Sequence, residues 1–156
     1  MLVFAHRGVH DGHIVENTIL AFKQAVDQGA DGIEFDLRLS RDGEPMVIHD
    51  TNLRYIAGDA RRVADLTASE LGKVVLRGQG VIPTLNEVTA AIPSPIILDI
   101  EIKDEKVLKP LVAKLNTSAG LRQRVVVSSF HLDVLKEFRH LIPGIPTICL
   151  NRRWPL

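Results

Sequence analysis

Residues 29–39, Gly-Ala-Asp-Gly-Ile-Glu-Phe-Asp-Leu-Arg-Leu, restrict the folds open to this chain more than any other segment. In an extended strand alternate side chains share a face, so Glu34, Asp36 and Arg38 project one way while Ile33, Phe35, Leu37 and Leu39 project the other. Residues 96–103 repeat the pattern, with Asp99, Glu101 and Lys103 opposite Ile96, Leu98, Ile100 and Ile102. Strands of this kind require a sheet with one face packed under helices. Its other face gathers carboxylates that a metal or paired cations must compensate.

The rest of the chain fits such a sheet. Strand-like and helix-like stretches alternate from the first residue, which predicts an α/β fold with a parallel sheet. Residues 2–5 read as the first strand. A helix follows from an N-cap at Asn17 or Thr18 and runs to a glycine stop at Gly29. Residues 33–39 form the second strand, and residues 45–50 return as a third after Ser-Arg-Asp-Gly, a connection short enough to predict a hairpin. Residues 51–83 read as a loop with a short helix near 67–76. Helix 84–91, strand 96–103, helix 106–115, strand 125–130, helix 132–141 and strand 146–150 complete the pass. No repeat, low-complexity run or linker divides residues 1–156, so one domain is expected.

Composition excludes several roles. Nineteen basic and nineteen acidic side chains cancel, leaving no field to attract nucleic acid or an anionic membrane surface. The apolar runs are too short to span a bilayer, and only five residues precede His6, so neither stable membrane insertion nor a signal peptide is expected. The single Cys149 suits a reducing compartment, and the cytoplasm is the expected location.

Functional groups collect where the strands end: His6-Arg7, Glu34 and Asp36, His49-Asp50, Glu101 and Lys103. Parallel α/β sheets bind ligands at those carboxyl ends. Three carboxylates without a nearby cysteine suit a hard divalent cation, Mg²⁺ or Ca²⁺, and the histidines lack zinc-motif spacing. With a divalent cation bound, the three acids, Arg7 and Lys103 leave a net single positive charge, which a phosphodiester would neutralise. Two histidines can serve as general base and acid on opposite sides of phosphorus, with Arg7 and Lys103 on its free oxygens.

At these positions the sequence resembles the glycerophosphodiester phosphodiesterases. The matching segments are AHRG (5–8), ENTILAF (16–22), GADGIEFDLRLSRDGEPMVIHD (29–50), PTLNEV (83–88) and LDIEIK (98–103). The resemblance implies a TIM-type (β/α)₈ barrel and a divalent metal on Glu34, Asp36 and Glu101. It also implies acid–base roles for His6 and His49, and hydrolysis of a glycerophosphodiester to glycerol 3-phosphate and an alcohol. Direct attack by water and internal attack by the glycerol hydroxyl both remain open.

Val15 stands where the family commonly has proline, a small change in loop rigidity. A full barrel takes roughly 200 residues or more, and about six of eight strands are counted here. The expectation is therefore an incomplete barrel, either a truncation or a subunit that covers its open edges as a homo-oligomer. Two alternatives accompany the hydrolase reading: a phosphodiesterase of the same type acting on lipid head groups, and a non-catalytic barrel fragment serving as a binding or assembly unit. Elsewhere the bland readings prevail. His10 and His13 are expected in a solvated loop, His131 and His140 at surfaces or helix ends, Ser128 and Ser129 as lining or structural residues, and Cys149 as a small buried hydrophobe. Glu16 is a candidate for hydrogen bonding behind the site, Asn17 and Thr18 for capping, and Asp99 for either a structural or a supporting role.

Overall fold

The alternation of apolar and charged positions in the strands is realised as a curled sheet with helices against its apolar face; the computed structural model describes residues 1–151. The strands are β1 (Phe4–His6), β2 (Gly32–Leu39), β3 (Pro45–Val47), β4 (Ile97–Ile102), β5 (Val125–Ser129) and β6 (Thr147–Cys149). Five run parallel in the order β1-β2-β4-β5-β6, and β3 pairs antiparallel with β2 off this path. The hairpin expected from Ser-Arg-Asp-Gly is present, so one of the six strands lies outside the parallel series. Among the described residues, β1 and β6 each pair on one side.

The helices are α1 (Ile19–Asp27), α2 (Arg54–Ala57), α3 (Ala68–Leu71), α4 (Leu85–Ala91), α5 (Leu108–Thr117), α6 (Ala119–Arg122) and α7 (Leu132–Leu141). Local chemistry explains where they start. Thr18 caps α1 by accepting from the Ala21 N–H at 3.2 Å. Thr84 and Glu87 form a reciprocal capping box at α4, and Thr67 and Glu70 do the same at α3. The helix expected at 106–115 opens instead as a 3₁₀ turn, Glu105–Val107, whose entry is fixed by the Asp104 side chain accepting from the Lys106 N–H. Pro110 then falls in the first turn of α5, where its missing N–H forfeits no helical bond.

The buried faces obey the two periods. Ile33, Phe35 and Leu37 of β2, Leu98, Ile100 and Ile102 of β4, and Val125 and Val127 of β5 form one core with Phe22 of α1, Leu111 and Leu115 of α5 and Phe138 of α7. Residues 51–83 are more ordered than the expected loop. Leu53, Ile56, Val63, Leu66 and Leu71 close a second hydrophobic cluster on Met46 and Ile48. The helix expected near 67–76 is a single turn that ends at Gly72. No helix among the described residues is long and apolar enough to cross a membrane.

Cys149 corrects an expectation. It is exposed rather than buried, because β6 lies at the edge of the described sheet, where Ile148 is also exposed.

Candidate active site

Strand register assembles the charged groups. Asp36 and Glu101 are direct partners across β2 and β4, so equal parity places their carboxylates side by side on one face. One row earlier, His6, Glu34 and Asp99 are partners across β1, β2 and β4. One oxygen from each of Glu34, Asp36 and Glu101 can be chosen so that all lie within 4.8 Å of one another. The three expected ligands therefore converge.

Their surroundings are cationic and largely dry. Asp36 is fully buried and meets Arg7 Nε at 3.2 Å through Oδ2 and Lys103 Nζ at 3.2 Å through Oδ1. Lys103 also reaches Glu101 Oε1 at 2.6 Å. Arg7 extends Nη1 to Glu16 Oε1 at 3.1 Å, and its backbone N–H donates to Glu34 Oε2 at 3.2 Å. The guanidinium and ammonium expected to hold substrate oxygens thus lie on the carboxylates.

Protonation follows from this crowding. Burial, then the Asp36 and Glu101 charges, push the Glu34 carboxyl up to about 8. Burial also raises Glu101, against the opposing pull of Lys103, and it raises Asp99. His6 is shifted down by burial and by Arg7, which favours its neutral form, and its Nε2 lies 3.8 Å from Glu34 Oε2. Arg7 and Lys103 balance Asp36 and Glu101, so Glu34 is the acid that a divalent cation would recruit by displacing its proton. A divalent cation fits: outside their ion pairs with Lys103, buried Asp36 Oδ1 and Glu101 Oε1 have no hydrogen-bond partner.

His49 lies on the segment that follows β3. The chain leaves β3 after Val47, Ile48 N–H still donating to Asp36 O at 2.9 Å, and Arg38 Nε donates to His49 O at 2.6 Å. His49 Nδ1 pairs with Asp50 Oδ1 at 2.7 Å. Both line a cavity of about 10 Å³ together with Glu16 and Asn17, the partners of Arg7 and Asp36. A groove of about 560 Å³ opens beside Lys103, whose ammonium stands 5.5 Å above the Phe130 ring.

Several supporting residues were only partly legible. Glu16 acts as anticipated, behind Arg7. Asn17, read as a capping candidate, instead grips Asp36, Nδ2 donating to Oδ2 at 2.8 Å. Its signal in the sequence was redundancy, since Thr18 beside it suffices as the cap. Ser129 is structural, donating to Ile102 O and accepting from the His131 N–H. His10, His13, His131 and His140 are exposed.

Comparison with known proteins agrees with this geometry. The model of the glycerophosphoryl diester phosphodiesterase family matches residues 6–153. The chain is 36% identical to a glycerophosphodiester phosphodiesterase of Caldanaerobacter subterraneus subsp. tengcongensis, covering 92% of this chain and 64% of that protein. It is also 36% identical to one from Bacillus altitudinis, covering 96% and 66%. The chain thus spans just under two thirds of the length of these relatives. Among solved structures, a Thermotoga maritima glycerophosphodiester phosphodiesterase superposes with a TM-score of 0.80 at 32% identity, over 94% of this chain and 61% of that one. An Oleispira antarctica phosphodiesterase, solved with its product sn-glycerol-3-phosphate, gives 0.79 at 26% identity, over 94% and 64%. A curled parallel sheet that carries this carboxylate cluster on its inner face, and superposes on part of those TIM barrels, has one reading: the chain belongs to the glycerophosphoryl diester phosphodiesterase family.

Proposed function

We propose that the chain, acting as one domain, carries the metal-dependent site of a phosphodiesterase that hydrolyses glycerophosphodiesters to glycerol 3-phosphate and an alcohol. The observation that carries this reading is the triad of half-buried Glu34 with buried Asp36 and Glu101, met by His6, Arg7 and Lys103, with His49 on the segment that leaves β3 beside Asp36. The relative solved with sn-glycerol-3-phosphate supports the same product here. Glu34, Asp36 and Glu101 would hold Mg²⁺ or Ca²⁺, since their donors are hard oxygens. Such an ion supplies Lewis acidity at the phosphoryl group when bound.

The chain's own residues do the rest. His6, kept neutral by burial and Arg7, takes the proton from the attacking water or glycerol hydroxyl, the second route needing a later water to open the cyclic phosphate. His49 gives a proton to the departing alkoxide, its ring held by the 2.7 Å pairing with Asp50. Lys103 and Arg7, already within reach of the carboxylates, neutralise the non-bridging oxygens of the diester. Cytoplasmic location and a homo-oligomer that covers the outer edges of β1 and β6 belong to the same proposal. Light scattering on the eluting peak reads the second.

The test is release of glycerol 3-phosphate from glycerophosphocholine with Mg²⁺ or Ca²⁺, with chelator and His6→Ala controls. Turnover abolished by both controls is expected. No turnover by the folded, metal-loaded chain refutes catalysis and leaves a phosphodiester-binding unit as the reading.

A further inference from the structure

The loop between β1 and α1 is tied to Asp36 more elaborately than a helix start requires. Thr18 caps α1, so Asn17 has no capping duty. Asn17 is nevertheless only 3% exposed and sits at φ 58°, the left-handed region that asparagine enters more readily than most residues. From there its side chain makes two bonds to one residue: Nδ2 donates to Asp36 Oδ2 at 2.8 Å, and Oδ1 accepts from the Asp36 N–H at 3.3 Å. Its own N–H donates to Arg7 O at 3.0 Å. Arg7, also at φ 58°, returns to the same carboxylate oxygen, Nε lying 3.2 Å from Asp36 Oδ2.

The two oxygens of Asp36 are therefore unequal. Oδ2 is engaged by Asn17 and Arg7, whereas Oδ1 is buried, has no hydrogen-bond partner and meets the ammonium of Lys103, which also contacts Glu101. A turn that merely shaped the loop would not need both ends of an amide on one carboxylate residue.

We propose that Asn17 is a positioning residue of the metal centre, whose two-point grip fixes the rotation of Asp36 so that Oδ1 is the oxygen offered to a divalent cation shared with Glu34 and Glu101. The inference rests on the reading of that triad as a metal site. Residues that orient a ligand without touching the metal commonly change its affinity by about 10–100-fold when removed.

The test is calorimetric titration of Mg²⁺ and Ca²⁺ into the wild-type chain, Asn17→Gly and Asn17→Asp, with circular dichroism and melting of the metal-free proteins as fold controls. Glycine adopts φ 58° without strain, so Asn17→Gly keeps the turn and deletes the grip. Asn17→Asp keeps the side-chain shape and the acceptor for the Asp36 N–H but sets an anion against Oδ2. It carries the test if the glycine variant fails to fold. The expected result is a wild-type fold in the metal-free variants, with metal affinity lowered about tenfold or more. Diester turnover by these variants recovers at higher metal concentration with KM for the diester unchanged. Folded variants that bind metal as tightly as wild type overturn the inference alone. A wild-type chain that binds neither cation overturns the metal-site reading and the inference with it.

Discussion

Glu34 retains its proton up to about pH 8 because it is buried beside Asp36 and Glu101, so a divalent cation entering the cluster has to displace that proton. At pH 7 the group is roughly nine-tenths protonated, and binding should release about 0.9 proton, falling to about 0.1 at pH 9. Apparent affinity should rise about tenfold per pH unit from pH 6 and level off above pH 8. Stability has the opposite sign. The folded-state value lies above the ordinary 4.5, so the group's contribution is complete below pH 4.5 and is lost as pH rises through about 8. At pH 7 that loss is roughly 3 kcal/mol, and the metal-free Tm should decline across the window while the metal-loaded Tm declines less. Calorimetric titration at pH 7 in PIPES and in Tris, whose ionisation enthalpies differ, counts the protons directly. Glu34→Gln should bind metal more weakly and release almost none. A wild-type chain that binds metal with no proton release, or with equal affinity at pH 6 and pH 8, would show Glu34 already ionised and refute this electrostatic account.

Four further substitutions probe other levels of the fold. Asp50→Asn removes the carboxylate 2.7 Å from His49 Nδ1 and should lower kcat about tenfold or more without changing the metal-free Tm; unchanged kcat would mean that the pairing does not serve His49. Phe35→Ala empties a fully buried position packed 5.7 Å from the Phe22 ring and should cost about 3–5 kcal/mol in urea denaturation, a loss under about 1 kcal/mol being incompatible with a core there. Gly8→Ala should cost about 2 kcal/mol or more, since φ is 78° and the added Cβ would lie 2.7 Å from the Ala21 backbone. Gly12→Ala, at φ 91° with nothing near its Cβ, should cost only about 1 kcal/mol in the same melts.

Much of this arrangement was legible because strand parity is local. The two faces of residues 33–39 and 96–103 could be assigned from alternation alone, and they are the faces observed. Pairing is not local. Nothing in the sequence states that Asp36 lies opposite Glu101 rather than Asp99; that register is set by how the apolar faces of β2 and β4 pack under the helices. Residues 51–83 were opaque for a related reason. Leu53, Ile56, Val63, Leu66 and Leu71 follow neither period, so only their shared burial identifies a second cluster. Cys149 was misjudged because residue type predicts average burial, whereas exposure here follows from the place of β6 at the edge of the described sheet.

The second cluster explains how the segment bearing His49 is placed relative to the sheet. Strand β3 is a seam: Val47, paired with Leu37, belongs to the main core, while Met46, paired with Arg38, belongs to the second cluster. The segment that follows carries His49 and Asp50, then wanders through the second cluster and returns at Gln79, which bridges to the β1–α1 loop by accepting from Val15 N–H and donating to His13 O. Close fit at that return is enforced by Gly80, where a Cβ would lie 2.7 Å from Thr18, the cap of α1. The carboxylate triad is therefore fixed by the sheet and the main core, whereas the position of His49 depends on a separately packed excursion fastened to the loop that bears Arg7 and Asn17. The triad proposed to hold the metal and the His49 proposed to donate a proton therefore rest on different hydrophobic clusters, and β3, Arg38 and the loop around Asn17 are the covalent and hydrogen-bonded links between them.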